Sequence, residues 1–225
     1  MATGKLIVLE GPEGAGKTTQ APLVAQWIAD LGHEVVAVRE PGGTAIGDQV
    51  RRILLDTPDG AVADAAEALL YMASRAQLVD RVVRPALARN AIVVLDRFFL
   101  STYAYQITGR GLPEAEVRAA NQLAVGGLVP DLTIMLTLPT GEGMARVARR
   151  GAHDRLERAD TAFHERVANA FAAFTDPRWH QAHPECGPVE PVNAAAGVDE
   201  VFRSIVAVLE RRWPESFAPD RRQRA

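Results

Sequence analysis

This chain of 225 residues is expected to fold as a doubly wound α/β domain, a five-stranded parallel sheet flanked by helices. Short apolar runs alternate along it with longer stretches of helical periodicity. The runs are apolar on successive residues, the mark of strands covered on both faces. Their regular alternation with helices calls for right-handed crossovers and strands that all point one way.

Leu6–Glu10 is the first such run, followed by Glu34–Val38, Ala91–Leu95 and Leu132–Leu136, with Gly187–Val192 a weaker fifth. Between them, Lys17–Leu31, Gly47–Leu55, Asp64–Ala88, Pro113–Val125, Gly141–Arg149, Asp160–Phe174 and Val198–Trp213 read as helices. Pro22 breaks a local rule inside the first helix: it removes the donor that would bond the Thr18 carbonyl, so a bend or a widened first turn is expected there. One domain over residues 1–214 fits the length, and residues 215–225, with Pro219 and several arginines, read as a flexible tail.

Hydrophobic content of 48% and charged content of 24% are those of an ordinary soluble globular protein. A net charge of -3 argues against a general nucleic-acid surface. The lone Cys186 excludes an intrachain disulfide and fits a reducing cytoplasm. No signal-peptide pattern opens the chain, and no apolar run is long enough to span a membrane. A soluble, cytoplasmic protein with neither membrane nor nucleic acid as partner is therefore expected. His180, His183 and Cys186 are spaced like partial metal ligands, but the prolines around them (Pro177, Pro184, Pro188) point to an ordinary surface loop.

The stretch Gly11-Pro12-Glu13-Gly14-Ala15-Gly16-Lys17-Thr18, followed by Thr19, matches G-x-x-x-x-G-K-[ST] and sits between a strand and a helix, as a phosphate loop must. Its glycines let backbone N–H groups converge on phosphate oxygens at a helix N-terminus. Lys17 supplies a point charge for the β and γ phosphates of a nucleotide, and Thr18 a hydroxyl for Mg²⁺. Only Lys5 and Lys17 are lysines among 25 basic residues, so a lysine here suggests that the compact ammonium matters.

A phosphate loop alone fits switches, motors, ATPases and kinases. No Asn is followed by Lys, so the base-reading element of guanine switches is missing. Four segments put arginines near predicted strand ends: Arg39 in "VREPGGT", Arg51 in "QVRRILLD", Arg75 in "YMASRAQ" and Arg97 in "LDRFFLSTYAYQ". Together they could converge on a second anionic ligand; each taken singly could equally be a solvated helix-face arginine. Asp96 closes the third strand, where an acid helps hold Mg²⁺, and it could also cap the helix that follows.

The segments "EGPEGAGKTTQ", "REPGGT", "SRAQ", "DRF", "AYQ", "GRGL", "PDLTI" and "RRGAHDRLE" run in one order from Leu6 to about Phe174. In this the chain resembles the bacterial thymidylate kinases, nucleoside monophosphate kinases of the P-loop type with a mobile lid, here about residues 142–160. The resemblance implies phosphorylation of dTMP by ATP with Mg²⁺ and a homodimer built through helices. It implies that Arg97 and Arg51 hold the dTMP phosphate, Arg75 bonds thymine O4, Thr102 reaches N3, Tyr71 stacks on the ring and Gln106 lines the same pocket. Pro41 would lie against the base after a cis Glu40–Pro41 bond. Tyr105 would occupy the space of a ribose 2′-hydroxyl, and Glu13 would lie near the acceptor 3′-hydroxyl. The phosphate loop carries no arginine, so the resemblance places the catalytic one in the lid, where Arg150 matches best among Arg146, Arg149, Arg150, Arg155 and Arg158. Phe99, Thr137 and Phe171 depart from the family pattern. The competing readings are another nucleoside or deoxynucleoside monophosphate kinase, and a P-loop ATPase that regulates partner binding.

Overall fold

The computed structural model describes residues 4–150 and 155–217, the side chains of Thr140 and Arg150 excepted. Five strands, β1 (Lys5–Glu10), β2 (Val35–Arg39), β3 (Ile92–Asp96), β4 (Leu132–Thr137) and β5 (Val189–Asn193), form one sheet in the order β2-β3-β1-β4-β5. Every pairing is parallel. Along β1 the side chains alternate between two cores: Leu6 and Val8 join one, Ile7 and Leu9 the other. That two-sided burial is why the strand reads as an unbroken apolar run. β5 is an edge strand and only partly buried, which accounts for its weaker signal.

Register brings the carboxyl ends of the strands together: Asp96 lies opposite Leu9 on one side and Arg39 on the other. Ligands of doubly wound sheets bind at this end, beyond the strand tips.

The helices are α1 (Lys17–Asp30), α2 (Ala45–Asp56), α3 (Asp64–Leu78), α4 (Arg84–Ala88), α5 (Phe99–Thr102), α6 (Glu114–Val125), α7 (Thr140–Arg150), α8 (Thr161–Ala173), α9 (Pro177–Ala182), α10 (Val198–Arg212) and α11 (Pro214–Phe217). α1 stays α-helical through Pro22, so the widened turn considered there is absent. Wide π-helical turns occur elsewhere, at Val79–Val83 between α3 and α4, and at Tyr103–Gly109 after α5.

Two expectations are corrected. Residues 215–217, expected to begin a flexible tail, belong to α11, and Phe217 is fully buried against Trp27, His33 and Trp213. Pro214 opens this turn, a position where a missing N–H is harmless. Residues 177–186, expected to be a surface loop, form α9 and a short 3₁₀ turn; Cys186 is buried, and His183 stacks on Trp179.

Candidate active site

The phosphate loop leaves β1 and enters α1 with the geometry its glycines permit. Gly14 and Gly16 have φ values of 74° and 91°, a region that costs side-chain-bearing residues. No side chain caps α1, and its Thr19 and Gln20 N–H groups bond the Gly16 carbonyl, so the Lys17 and Thr18 N–H groups at its N-terminus keep their capacity for an anion. Lys17 folds back over the loop, and its ammonium donates to the Gly11 and Pro12 carbonyls at 2.8 Å each. One N–H of three remains for a ligand. Burial and the neighbouring Arg97 guanidinium lower its pKa to about 8, against the pull of Glu13, Asp96 and Glu10. Thr18 Oγ1 donates to Asp96 Oδ2 over 3.0 Å. Asp96 Oδ1 is buried with no hydrogen-bond donor among the described residues.

One cavity of about 700 Å³ opens beside this loop. It is lined by Glu13, Gly14, Gly16, Lys17, Thr18 and Thr19, and by Arg39, Arg51, Arg75 and Arg97 from the four arginine segments. Pro41, Tyr71, Asp96, Thr102, Tyr105 and Gln106 complete the predicted set on its walls. Gly11, Pro12 and Ala15 do not line it: the first two present carbonyls to Lys17, and Ala15 is packed into the core. Arg150 ends α7, and its side chain lies outside the described residues.

Arg97 stands just beyond β3 in a left-handed conformation, φ 73°, unusual for a residue with a long side chain. Its guanidinium bonds Ser101 Oγ at 2.9 Å and Glu13 Oε1 at 2.5 Å, and lies 5.2 Å from the centre of the Tyr105 ring. The Tyr105 hydroxyl donates to the same Glu13 oxygen over 2.8 Å. Burial, first of all, pushes the Tyr105 phenol well above its ordinary pKa, so it remains a neutral donor. Glu10 explains how this segment is held. Its buried carboxylate accepts from the Phe98 N–H, the Ser101 N–H and Ser101 Oγ, and so caps α5 from the end of β1.

Arg75 is almost fully buried, and its N–H groups are saturated by the protein. Nε and Nη2 face Glu40 Oε2, Nη2 also reaches the Phe98 carbonyl, and Nη1 bonds Thr102 Oγ1 and Asn121 Oδ1. A pyrimidine oxygen would therefore share one of these donors rather than find one waiting. The Glu40–Pro41 bond is cis, and Arg51 Nη1 donates to the Pro41 carbonyl over 3.0 Å. Burial raises the Glu40 pKa despite Arg75. Gln106 Nε2 bonds Glu67, a residue the sequence reading did not single out.

Three other lid arginines are engaged. Arg146 bonds Glu142 and the Ala194 and Ala195 carbonyls, Arg155 is buried against Glu67, and Arg158 pairs with Asp59 at the surface. Of the three departures, Phe99 packs edge-on to Phe98, the Thr137 hydroxyl donates to the Val192 carbonyl, and Phe171 packs against Tyr105. Each is satisfied locally. No helix among the described residues is long and apolar enough to cross a membrane.

A phosphate loop that shares a cavity with clustered arginines is the layout of an enzyme that holds two phosphorylated ligands end to end. Comparison with known proteins gives the same direction. The family model described as thymidylate kinase matches residues 9–188. A thymidylate kinase of Deinococcus radiodurans is 44% identical over 212 residues, 94% of this chain and 99% of the relative. One from Clavibacter michiganensis is 49% identical over 204 residues, 90% and 93% of the two chains. The crystal structure of a thymidylate kinase from Ehrlichia chaffeensis matches with a TM-score of 0.70 at 26% identity, covering 92% of this chain and 99% of that one. The chain belongs to the thymidylate kinase family.

Proposed function

We propose that this protein transfers the γ-phosphoryl group of ATP to the phosphate of dTMP, giving ADP and dTDP. The observation that carries this reading is the single cavity lined both by Lys17 and Thr18 of the phosphate loop and by Arg51, Arg75, Arg97 and Tyr105. ATP phosphates would lie on the loop and the N-terminus of α1, and the acceptor phosphate between Arg97 and Arg51. That phosphate is already an anionic nucleophile, so no side chain need remove a proton. The work of the site is alignment and the neutralisation of charge.

Thr18 and Asp96 suit Mg²⁺: two hard oxygen ligands sit together, and Asp96 Oδ1 is a buried acceptor without a donor among the described residues. When bound, the ion would neutralise charge on the β and γ phosphates. The residue we assign to the transferring group itself is Arg150, since the phosphate loop offers Glu13 there instead of an arginine. Tyr105 sets the sugar preference and Glu13 faces the acceptor. Ile53, Leu69 and Leu123 are exposed on α2, α3 and α6, and α3 packs on both of the others; exposed apolar side chains on these helices support a homodimer. A cytoplasmic setting fits the single buried thiol.

Initial rates with ATP and Mg²⁺ against dTMP, dUMP, dGMP, CMP and AMP test the assignment. dTMP is expected to give the highest kcat/KM; a higher value for any other acceptor would overturn it.

A further inference from the structure

Glu67 has no exposed side-chain surface, yet it carries two arginines and an amide on one carboxylate. Arg155 Nη2 reaches Oε2 at 2.6 Å and Arg110 Nη2 the same oxygen at 2.9 Å. Gln106 Nε2 donates to Oε1 over 3.0 Å. Burial works against the charge on Glu67, but the bonds from Arg110, Arg155 and Gln106 outweigh it and keep the carboxyl below its ordinary range. A buried carboxylate with this many charged partners is expensive to disturb, because removing it leaves guanidinium groups facing one another out of water.

The parts joined there come from two distant segments of the chain that both line the cavity. Gln106 lines the acceptor side, and Arg110 ends the π-helical turn that carries Tyr105, with its guanidinium 4.5 Å from the Phe163 ring. Arg155, between α7 and α8, is fixed three ways. Besides Glu67, its Nε donates to the Leu54 carbonyl over 2.7 Å and its backbone N–H to the Leu55 carbonyl over 3.2 Å. The next residues, Leu156, Glu157 and Arg158, line the cavity directly. A buried arginine pinned at both its head and its backbone is built to anchor this segment, not to swing toward a phosphate.

We propose that Glu67 is a positioning residue for phosphoryl transfer: it ties the segment entering at Arg155 to the acceptor wall at Gln106, so that both are held in one frame. The inference rests on the proposed dTMP kinase reading. A wild-type protein without dTMP-dependent turnover would remove that reading, whereas active wild type with indifferent variants removes this inference alone.

The test is steady-state kinetics on full-length Arg155→Met, Glu67→Gln, Glu67→Asp and the double variant Glu67→Gln/Arg155→Met, with Tm recorded for each. Arg155→Met is expected to lower kcat on the order of 10²-fold, the effect of displacing reacting groups from a distance, with KM for dTMP little changed. Glu67→Gln should lower kcat at least as much and also raise KM for dTMP, because it removes the charge that Arg110 and Arg155 share and turns one of the two acceptor oxygens into a donor. The double variant should be no worse than Glu67→Gln, and Glu67→Asp should recover part of the loss. Arg155→Met with lowered Tm and unchanged kcat would overturn the proposal, leaving a structural ion pair only. Loss of turnover in Arg155→Met with full kcat in Glu67→Gln would also overturn it, since Arg155 would then act on the phosphates itself. Should Glu67→Gln fail to fold, the kcat and KM values of Arg155→Met decide the matter.

Discussion

Arg97 and Glu13 join the end of β3 to the phosphate loop through a 2.5 Å ion pair, and Tyr105 donates to the same carboxylate oxygen. The pair holds the guanidinium in place before any acceptor arrives, so its ordering is completed in folding. Arg97→Met is expected to lower kcat/KM for dTMP by roughly 10–150-fold, the worth of one hydrogen bond to a charged group. KM for ATP should change little. Arg97→Lys should recover little, because an ammonium cannot bond Ser101 and Glu13 in the geometry of the fork. Initial rates with dTMP varied at saturating ATP check this.

Lys17 gives a pH dependence with a definite sign. Burial and Arg97 lower its pKa from 10.5 to about 8. From about 8 up to 10.5 the unfolded chain keeps a proton that the folded chain has lost, so this residue's contribution to stability rises with pH across that window. Activity runs the other way, because the phosphates need the ammonium. kcat/KM for ATP, which reports the free enzyme, should fall as pH rises through about 8. In kcat the same limb should lie at higher pH, since bound phosphate favours the charged form. A profile of kcat/KM for ATP that stays flat well above pH 8 would contradict this account of Lys17.

Tyr105 has two separable jobs. Its ring fills space against Phe163 and Phe171, and its hydroxyl holds Glu13 and Arg97. Tyr105→Phe should lower kcat/KM yet keep the preference for dTMP over the ribonucleotide of thymine. Tyr105→Ala should erode that preference, within the roughly 10–200-fold that one steric contact can yield. Measuring both acceptors on both variants separates the two effects.

Arg150→Ala is expected to lower kcat by roughly 10³-fold or more with KM for dTMP and ATP little changed, as for an arginine that engages only the transition state. Arg150→Lys should restore little. Arg149→Ala measured beside it shows whether the neighbour substitutes. Near wild-type kcat in both of these alanine variants and in Arg155→Met would remove the lid arginine from the mechanism.

Phe217→Ala should cost about 3–5 kcal/mol of stability, the range for emptying a buried aromatic site, because its ring is fully enclosed by Trp27, His33 and Trp213. Denaturant unfolding measures it. Specific activity well below the transition should stay near wild type, since α11 lies on the far core from the acceptor pocket.

β1, β3 and β4 were legible because apolar residues on both faces leave an uninterrupted run, β2 because its run stays apolar although it is a partly exposed edge, and the phosphate loop because its glycines have few substitutes. The helical stretch from Phe99 to Gly109 was not: Phe99, Leu100, Thr102, Tyr103, Ala104 and Tyr105 are all buried, so no polar face marks a period. α11 was hidden by the prolines and arginines around it, although Pro214 is well placed to start a turn. Glu67 was not singled out from the sequence. Its signal is spacing, for Glu67, Tyr71, Ser74 and Leu78 form one stripe of α3, and an acid in an inward stripe needs cationic partners. Glu10 was read only as the end of a strand, and nothing local to it announces the α5 backbone that it caps.

The central claim is phosphoryl transfer to dTMP, and the most direct measurement is the rate of ADP formation from ATP and Mg²⁺ with and without dTMP, with dTDP quantified in the same samples. The account predicts ADP only when dTMP is present, with one dTDP formed for each ADP. ADP released at the same rate without dTMP, or without matching dTDP, would contradict it.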